Sequence, residues 1–253
     1  MLKILKSKNL QSVKHGFFGR SGGVSTGIYS SLNMSEKTSD SDVNINTNRK
    51  LVMDKLEISN QKVFFPNQQH TSSVMLIDER TDLAKAKDMP ADAVITNIKG
   101  IGIGVLTADC CPILVHESES GIILAIHAGW KGALAGICQN ALNCLLDLGV
   151  NIEKCSVAMG PTISSKCYEV KIDFVKFFLK TDPYFEKFFI KKDDKYFFDL
   201  TSFIRSRFNL FGVYDIVDLG LCTYENQELF FSNRRAYHNS DRDFGRMASI
   251  ISL

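Results

Sequence analysis

The hydrophobic pattern is densest in the middle of the chain, where Ile113 to His116 and Ile122 to Ile126 form two apolar, β-branched runs. Glu117-Ser118-Glu119-Ser120-Gly121 between them has turn composition, so the pattern predicts a β-hairpin. With Glu119 and Ser120 as a two-residue loop, Pro112 faces His127, and Cys110 lies diagonally across from that histidine. Side chains alternate faces along a strand, which puts Cys110 and His127 on the same face; a slip of one residue would separate them.

The rest of the pattern alternates strands with helices. After a short first strand, the chain passes through Lys14 to Arg20, and further strands are predicted at 62–65, 74–77, 91–96, 101–106 and 156–159. Helical periodicity covers Val43 to Leu56, with Asp42 as N-cap. It returns over Lys131 to Leu148, where Leu134, Ile137, Ala141, Leu145 and Leu148 share a face and Gly149 supplies the stop. Ile172 to Leu179 and Leu200 to Phe211 read as helices, the second ended by Gly212. Thr81 to Pro90 reads as loop or short helix, and Pro183 to Lys195 as a surface helix with a buried aromatic side. Two last strands are expected at 215–219 and 229–231, and no internal repeat or linker interrupts the chain.

Composition narrows the class. A chain of 253 residues with 45% apolar content can build a substantial core. A formal charge of +2, from 30 basic and 28 acidic residues, gives no general attraction to nucleic acid or anionic membrane. No apolar run reaches the roughly 18 residues a membrane span needs, and Met1 to Lys6 is too short for a signal peptide, so a cytoplasmic protein is expected. Seven cysteines, an odd number without repeating spacings, predict reduced thiols. Cys138, Cys144 and Cys155 suit small buried apolar positions. Cys110 sits instead in a turn among Asp109, Cys111 and Pro112, where apolar packing explains it poorly.

The hairpin gives Cys110 a chemical use. Diagonal neighbours in an antiparallel pair sit roughly 7–8 Å apart, a gap that a metal can bridge with bonds of roughly 2.0–2.3 Å to His and Cys. Cys110 and His127 are therefore read as two ligands of one metal. His70, in the break Pro66-Asn67-Gln68-Gln69-His70-Thr71, occupies the same kind of place and is the candidate third donor. After His127, Ala128-Gly129-Trp130-Lys131-Gly132 feeds a helix N-terminus, a site that favours anions. Ser21 to Gly27 is glycine-rich but fits neither the P-loop nor the dinucleotide fingerprint.

Ten short motifs occur in order: Gly22-Gly23-Val24-Ser25, Ser31-Leu32-Asn33, Asn48-Arg49, Gln68-Gln69-His70, Thr107-Ala108-Asp109-Cys110-Cys111-Pro112, His127-Ala128-Gly129-Trp130-Lys131-Gly132, Gly160-Pro161-Thr162-Ile163, Cys167-Tyr168-Glu169-Val170, Cys222-Thr223-Tyr224 and Phe231-Ser232-Asn233-Arg234-Arg235. As an ordered set they resemble the laccase-domain family, formerly labelled multicopper polyphenol oxidases and now described as purine nucleoside phosphorylases or peptidoglycan editing factors. The resemblance implies one α/β (α+β) domain over residues 1–253, with mixed β-sheets flanked by helices. It implies Zn2+ on His70, Cys110 and His127, phosphorolysis of adenosine, inosine, guanosine and methylthioadenosine, and deamination of adenosine. Cys110, Asp109 and His127 take the catalytic positions, with Asp109 as a proton shuttle. Asn33, Arg49, Gln68, Lys131 and Arg235 take the substrate-binding ones, Arg49, Lys131 and Arg235 placing phosphate. Lys131 departs from the usual Arg of its motif, exchanging a bidentate fork for a point charge.

Purine nucleosides and phosphate are thus the expected partners, with no nucleic acid or membrane, and a monomer or weak homodimer. Three rival readings exist, one of them a non-enzymatic interaction module in which zinc is a structural clip, which an open three-ligand site in a large core disfavours. A cysteine hydrolase, with Cys110 as nucleophile and His127 as base, would edit peptidoglycan precursors. Copper-dependent polyphenol oxidation would need on the order of ten histidines for its imidazole-rich centres, and the chain has five. The His-x-Glu and Pro-Cys-x-x-Cys signature of the zinc base deaminases is absent.

Overall fold

Strands buried on both faces need continuous apolar runs, and the central hairpin meets that demand. In a computed structural model that describes residues 2–58 and 63–253, β1 (Ile4–Leu5), β2 (Lys14–Phe18), β3 (Val63–Phe64), β4 (Val74–Ile77), β5 (Ala93–Thr96), β6 (Gly102–Thr107), β7 (Cys111–Glu117) and β8 (Ile122–Ala128) form the first half. Strands β9 (Cys155–Met159), β10 (Glu169–Val170), β11 (Phe189–Lys192), β12 (Lys195–Phe198), β13 (Ile216–Asp218) and β14 (Met247–Ser252) follow. A six-stranded mixed sheet has the order β13-β9-β7-β8-β5-β4, and a five-stranded mixed sheet the order β1-β2-β14-β6-β3. A small antiparallel sheet, β10-β12-β11, completes the set.

The layers follow from strand alternation. Ile113, Val115, Leu124 and Ile126 turn one face of the six-stranded sheet towards helices α4 (Ile137–Asp147) and α6 (Leu200–Asn209). Leu114, Ile123 and Ala125 turn the other face onto Phe17, Ile103, Val105 and Ile251 of the five-stranded sheet. That second sheet packs its outer face, through Phe18, Ala248 and Ile250, on Val52, Met53 and Leu56 of α1 (Asp42–Leu56). Helix, sheet, sheet, helix is the α+β architecture of mixed sheets flanked by helices. Among the described residues, no helix is long and apolar enough to cross a membrane.

The predicted register of the hairpin is the observed one. Pro112 pairs with His127 and Glu117 with Ile122. The buried carboxylate of Glu117 accepts bonds from the N–H groups of Glu119 and Ser120, both at 2.8 Å, which fixes the turn from inside.

Several expectations shift. Ser41, not Asp42, caps α1, and Val43 points to solvent at 74% exposure while Ile45 and Asn48 turn inward. The expected helix over 131–148 is two helices, α3 (Trp130–Leu134) and α4, because Gly136 adopts a left-handed φ of 92° between them. Thr81 to Pro90 contains one short helix, α2 (Leu83–Ala86), and the helix expected at 172–179 is α5 (Ile172–Thr181). Pro183 to Lys195 is no surface helix. A 3-10 turn at Pro183–Phe188 leads into β11 and β12, and its phenylalanines pack on α5 and α6. Residues 229–231 are not a strand but lead to α7 (Asn233–His238), and β14, at the centre of the five-stranded sheet, was not anticipated. Lys62, the expected first residue of β3, lies outside the described residues.

Candidate metal centre

Chain alternation and strand ends build the centre. Asp92, His127 and Cys110 all stand on the face of the six-stranded sheet that looks at the second sheet, where β5, β8 and β7 end side by side. Cys110 lies in the crossover 108–110, where the chain leaves β6 in one sheet for β7 in the other. Asp109 makes that corner with a left-handed φ of 85°. His70 arrives from the loop between β3 and β4, also left-handed at φ 58°. Such conformations are uncommon for residues with a Cβ and concentrate where the surroundings over-determine them.

The three predicted ligands converge. A nitrogen of His70, a nitrogen of His127 and Sγ of Cys110 lie within 4.8 Å of one another, with Nε2 of His70 3.7 Å from the sulfur. The rings of His70 and His127 meet edge to face, centroids 4.7 Å apart. Burial is graded from exposed His70 through half-buried Cys110 to buried His127. Gly129 leaves the space they need, because a Cβ there would stand 2.9 Å from Sγ of Cys110 and 2.8 Å from the ring of His70.

Asp92 organises this group, and the sequence reading missed it. Its fully buried carboxylate takes Nδ1–H of His127 at 2.7 Å, the backbone N–H groups of Gln69, His70 and Thr71, and the Thr71 hydroxyl. One side chain thus sets the tautomer and ring orientation of His127 and anchors the loop of His70. The available signal was an acid inside the otherwise apolar run Ala91 to Thr96. Burial alone would raise the Asp92 carboxyl, but the bonds from His127 and Thr71 hold it at about 2. Burial likewise opposes ionisation of Cys110, and the two neighbouring imidazoles overcome it and bring the thiol to about 6. His127, resisted by burial and favoured by Cys110 and Asp92, is raised to about 9. Two imidazoles and a low-pKa thiolate, braced by a carboxylate behind one ring, form a donor set suited to a tetrahedral metal with one position left for water or substrate.

Two cavities meet at the group. The larger, about 740 Å³, runs from His70, Cys110 and His127 past Phe65 and Gln68 to Lys37, Arg49, Lys87, Phe244 and Arg246. The smaller, about 370 Å³, lies against His70 and Cys110 on the side of Trp130, Lys131, Tyr168 and Arg234.

The remaining predicted residues divide between these spaces and the scaffold. Arg49, half-buried, lines the large cavity, pairing with Glu36 and donating to the carbonyl of Met34. Gln68 also lines it, and its amide bonds both backbone groups of Leu106, extending the β3–β6 ladder with a side chain. Lys131 faces the small cavity, 5.6 Å over the Trp130 ring. Asn33 is fully buried, tied to Thr38, Asp40 and the N–H groups of Ser35 and Arg246. Arg235 binds the carbonyls of Thr223, Tyr224 and Phe230 and borders a third cavity beside Arg20. Arg49, Lys131 and Arg235 are therefore not brought together around one anion. The carboxylate of Asp109 is occupied by Thr223, Ser232 and the N–H of Arg234 at 2.6, 2.9 and 2.7 Å, and burial pushes its pKa up against those donors.

Comparison with known proteins places the fold and the sequence in a family. Residues 14–253 match the family model described as multi-copper polyphenol oxidoreductase laccase. The purine nucleoside phosphorylase YfiH of Shigella flexneri is 33% identical over 92% of this chain and 91% of its own length. Adenosine deaminase RL5, from an unknown prokaryotic organism, is 31% identical over 85% of this chain and 86% of its own. The crystal structure of the hypothetical protein YfiH of Bacillus licheniformis superposes with a TM-score of 0.89 at 28% identity, covering 99% of this chain and 96% of that one.

Proposed function

The chain belongs to the multi-copper polyphenol oxidoreductase laccase family, and on that premise we propose that residues 1–253 act as a single zinc-dependent enzyme that phosphorolyses purine nucleosides and deaminates adenosine. The observation that carries the reading is the convergence of His70, Cys110 and His127 at the meeting of two cavities, with Asp92 behind His127. One relative matched over most of its length is named for the first activity and another for the second.

The donor set favours zinc over copper centres. Of the five histidines, His15 is bound to the Ser7 N–H and the Val13 carbonyl, His116 faces Ser12 and His238 faces Tyr224. Only His70 and His127 share a site, too few for imidazole-rich copper clusters. Zinc held there supplies Lewis acidity and lowers the pKa of water it contacts.

The chain's own residues do the rest. Asp92 keeps Nδ1 of His127 protonated, so the proton that a metal would displace is the one on Nε2, which faces the site. The large cavity combines four cationic side chains, Lys37, Arg49, Lys87 and Arg246, with the rings of Phe65 and Phe244. That composition suits a purine ring beside an anion, and it supports a reading in which Arg49 and Arg246, rather than Arg49, Lys131 and Arg235 jointly, recognise phosphate. Holding phosphate and nucleoside in one space replaces a bimolecular encounter with a local one. Asp109 acts as a positioning residue, since its oxygens are committed to the loop that presents Cys110.

Incubating the protein with adenosine, with and without phosphate, and separating adenine, inosine and hypoxanthine tests both activities. Cys110→Ala should lose the zinc held with His70 and His127, and both products, while remaining folded. Full phosphorolysis by Cys110→Ala protein that holds no zinc at this centre would sink the assignment. The low thiol pKa beside His127 also suits a cysteine nucleophile. Alkylation separates the readings: zinc should protect Cys110 if it is a ligand, and rapid alkylation of the zinc-loaded protein favours the hydrolase.

A further inference from the structure

Nucleoside chemistry leaves unused a second group of ligand-type side chains. We propose that Cys167, Cys222 and Glu225 form a second metal site, selective for a thiophilic divalent cation, Zn2+. Their two sulfurs and a carboxylate oxygen lie within 4.8 Å of one another. Bonds of about 2.3 Å to zinc give tetrahedral S···S edges of about 3.8 Å, so small side-chain rotations close the group around an ion. Two thiolates and one carboxylate select zinc over magnesium or calcium, which prefer oxygen alone.

One donor already faces a sulfur of the group. The backbone N–H of Ser164 donates to Sγ of Cys222 at 3.4 Å, the kind of bond that stabilises a metal-bound sulfur. Nearby, Oγ of Ser164 is buried without a hydrogen-bond partner among the described residues. Both cysteines are free thiols. Depth is graded, with Cys222 buried, Cys167 half-buried and Glu225 exposed, so an ion can enter from solvent.

The two segments are held together before any ion arrives. Strands β9 and β13 run parallel, and the loops that leave them stay in register through Thr162, which bridges Cys222 and exchanges backbone bonds with Leu221 and Thr223. The same segments grip the corner before Cys110. Thr162 donates to the Asp109 carbonyl at 2.6 Å, and Thr223 to its carboxylate at 2.6 Å. A cation on Cys167 and Cys222 would staple the segments that fix this corner, stabilising it without touching the first centre's ligands.

The test counts metal in the full chain. Protein stripped by a chelator, kept reduced with a phosphine and dialysed against buffered Zn2+ should bind two equivalents. Cys167→Ala and Cys110→Ala should each bind one, and the double variant none. With Co2+, Cys110→Ala protein should show thiolate charge-transfer absorption that the double variant lacks. Because Glu225 is exposed, Glu225→Gln is a variant that spares the fold. It should weaken the second equivalent at least about tenfold and leave the melting temperature of metal-free protein unchanged. Saturation of the wild type at one equivalent, or a second equivalent that survives both Cys167→Ala and Glu225→Gln unweakened, would overturn the site.

Discussion

Replacing Asp92 by Asn removes a charge while keeping the shape, and the structure allows the cost to be worked out. Oδ1 accepts from the N–H of His70 at 3.0 Å and Nδ1–H of His127 at 2.7 Å; Oδ2 accepts from the N–H groups of Gln69 at 3.2 Å and Thr71 at 2.7 Å and from the Thr71 hydroxyl at 2.8 Å. An amide keeps one acceptor. If its oxygen stays with the histidines, its NH2 meets two backbone N–H groups, while the Thr71 hydroxyl can turn to accept. Two orphaned, part-buried donors, at about 1–3 kcal/mol each if fully dry, give a loss of about 2 kcal/mol once water reaches them in part. The carboxyl pKa, lowered from 3.8 to about 2, sets an independent scale of about 2.5 kcal/mol. A lowered folded pKa means stability that is present above the ordinary carboxyl range and lost as pH falls through about 2. The penalty of Asp92→Asn should therefore be full at pH 7 and shrink in acid. Zinc affinity should fall about 10–100-fold, the usual cost of losing a carboxylate behind a ligand histidine. Urea unfolding of the metal-free proteins at pH 7 and pH 3, with chelator competition for zinc, measures both. A variant within about 0.5 kcal/mol of wild type, binding zinc within about twofold of it, would refute the role given to Asp92.

Three further outcomes are expected. Gly129→Ala keeps an ordinary backbone, φ −77° and ψ 166°, but drives its Cβ into Cys110 and His70; zinc affinity should drop more than about tenfold with the circular dichroism unchanged, and an unaltered affinity would show that the two ligands yield easily. Glu117→Gln should cost about 2 kcal/mol at neutral pH through the weakened turn bonds; because the bonds from Ser120 and Glu119 outweigh burial and lower that carboxyl's pKa, the difference from wild type should fade in acid, and denaturant melts across pH would expose a constant difference as a contradiction. Arg246→Ala should raise the KM for phosphate about tenfold, or about 1.4 kcal/mol, and change kcat less, as initial-rate kinetics would show; an unchanged KM would move the phosphate away from the large cavity.

How far the fold was legible depended on whether a segment's pattern had one structural meaning. The hairpin could be read to the residue because turn composition centred the loop on Glu119 and Ser120, and that centre alone sets the register that pairs Pro112 with His127. Lys131 to Leu148 misled because helical periodicity continues through Ala135 and Gly136, and only the left-handed backbone at Gly136 breaks it. Pro183 to Lys195 misled because phenylalanines spaced for a helix pack equally well from a turn and a short hairpin. Met247 to Ser252 lacks a clean alternation because it is central in its sheet and buried at every position.

The site was legible where chemistry is borne by rare residues and obscure where it is borne by position. Cysteine and histidine at strand ends announce themselves, so His70, Cys110 and His127 could be proposed before their distances were known. Asp92 and Asp109 look alike in sequence, one acid each beside small residues, and the structure separates them by the donors that reach them. Asp92 receives an imidazole, so it acts on the metal group through its ligand. Asp109 receives two hydroxyls and a backbone N–H, so it acts on the loop. The arginines differ by degree: Arg235 spends its guanidinium on three carbonyls and borders the cavity beside Arg20, whereas Arg246, unmarked in the sequence, reaches two carbonyls through one nitrogen and lines the large cavity. For long charged side chains the decisive fact is which backbone carbonyls lie within reach, and that is set by the packing of loops far apart in the chain.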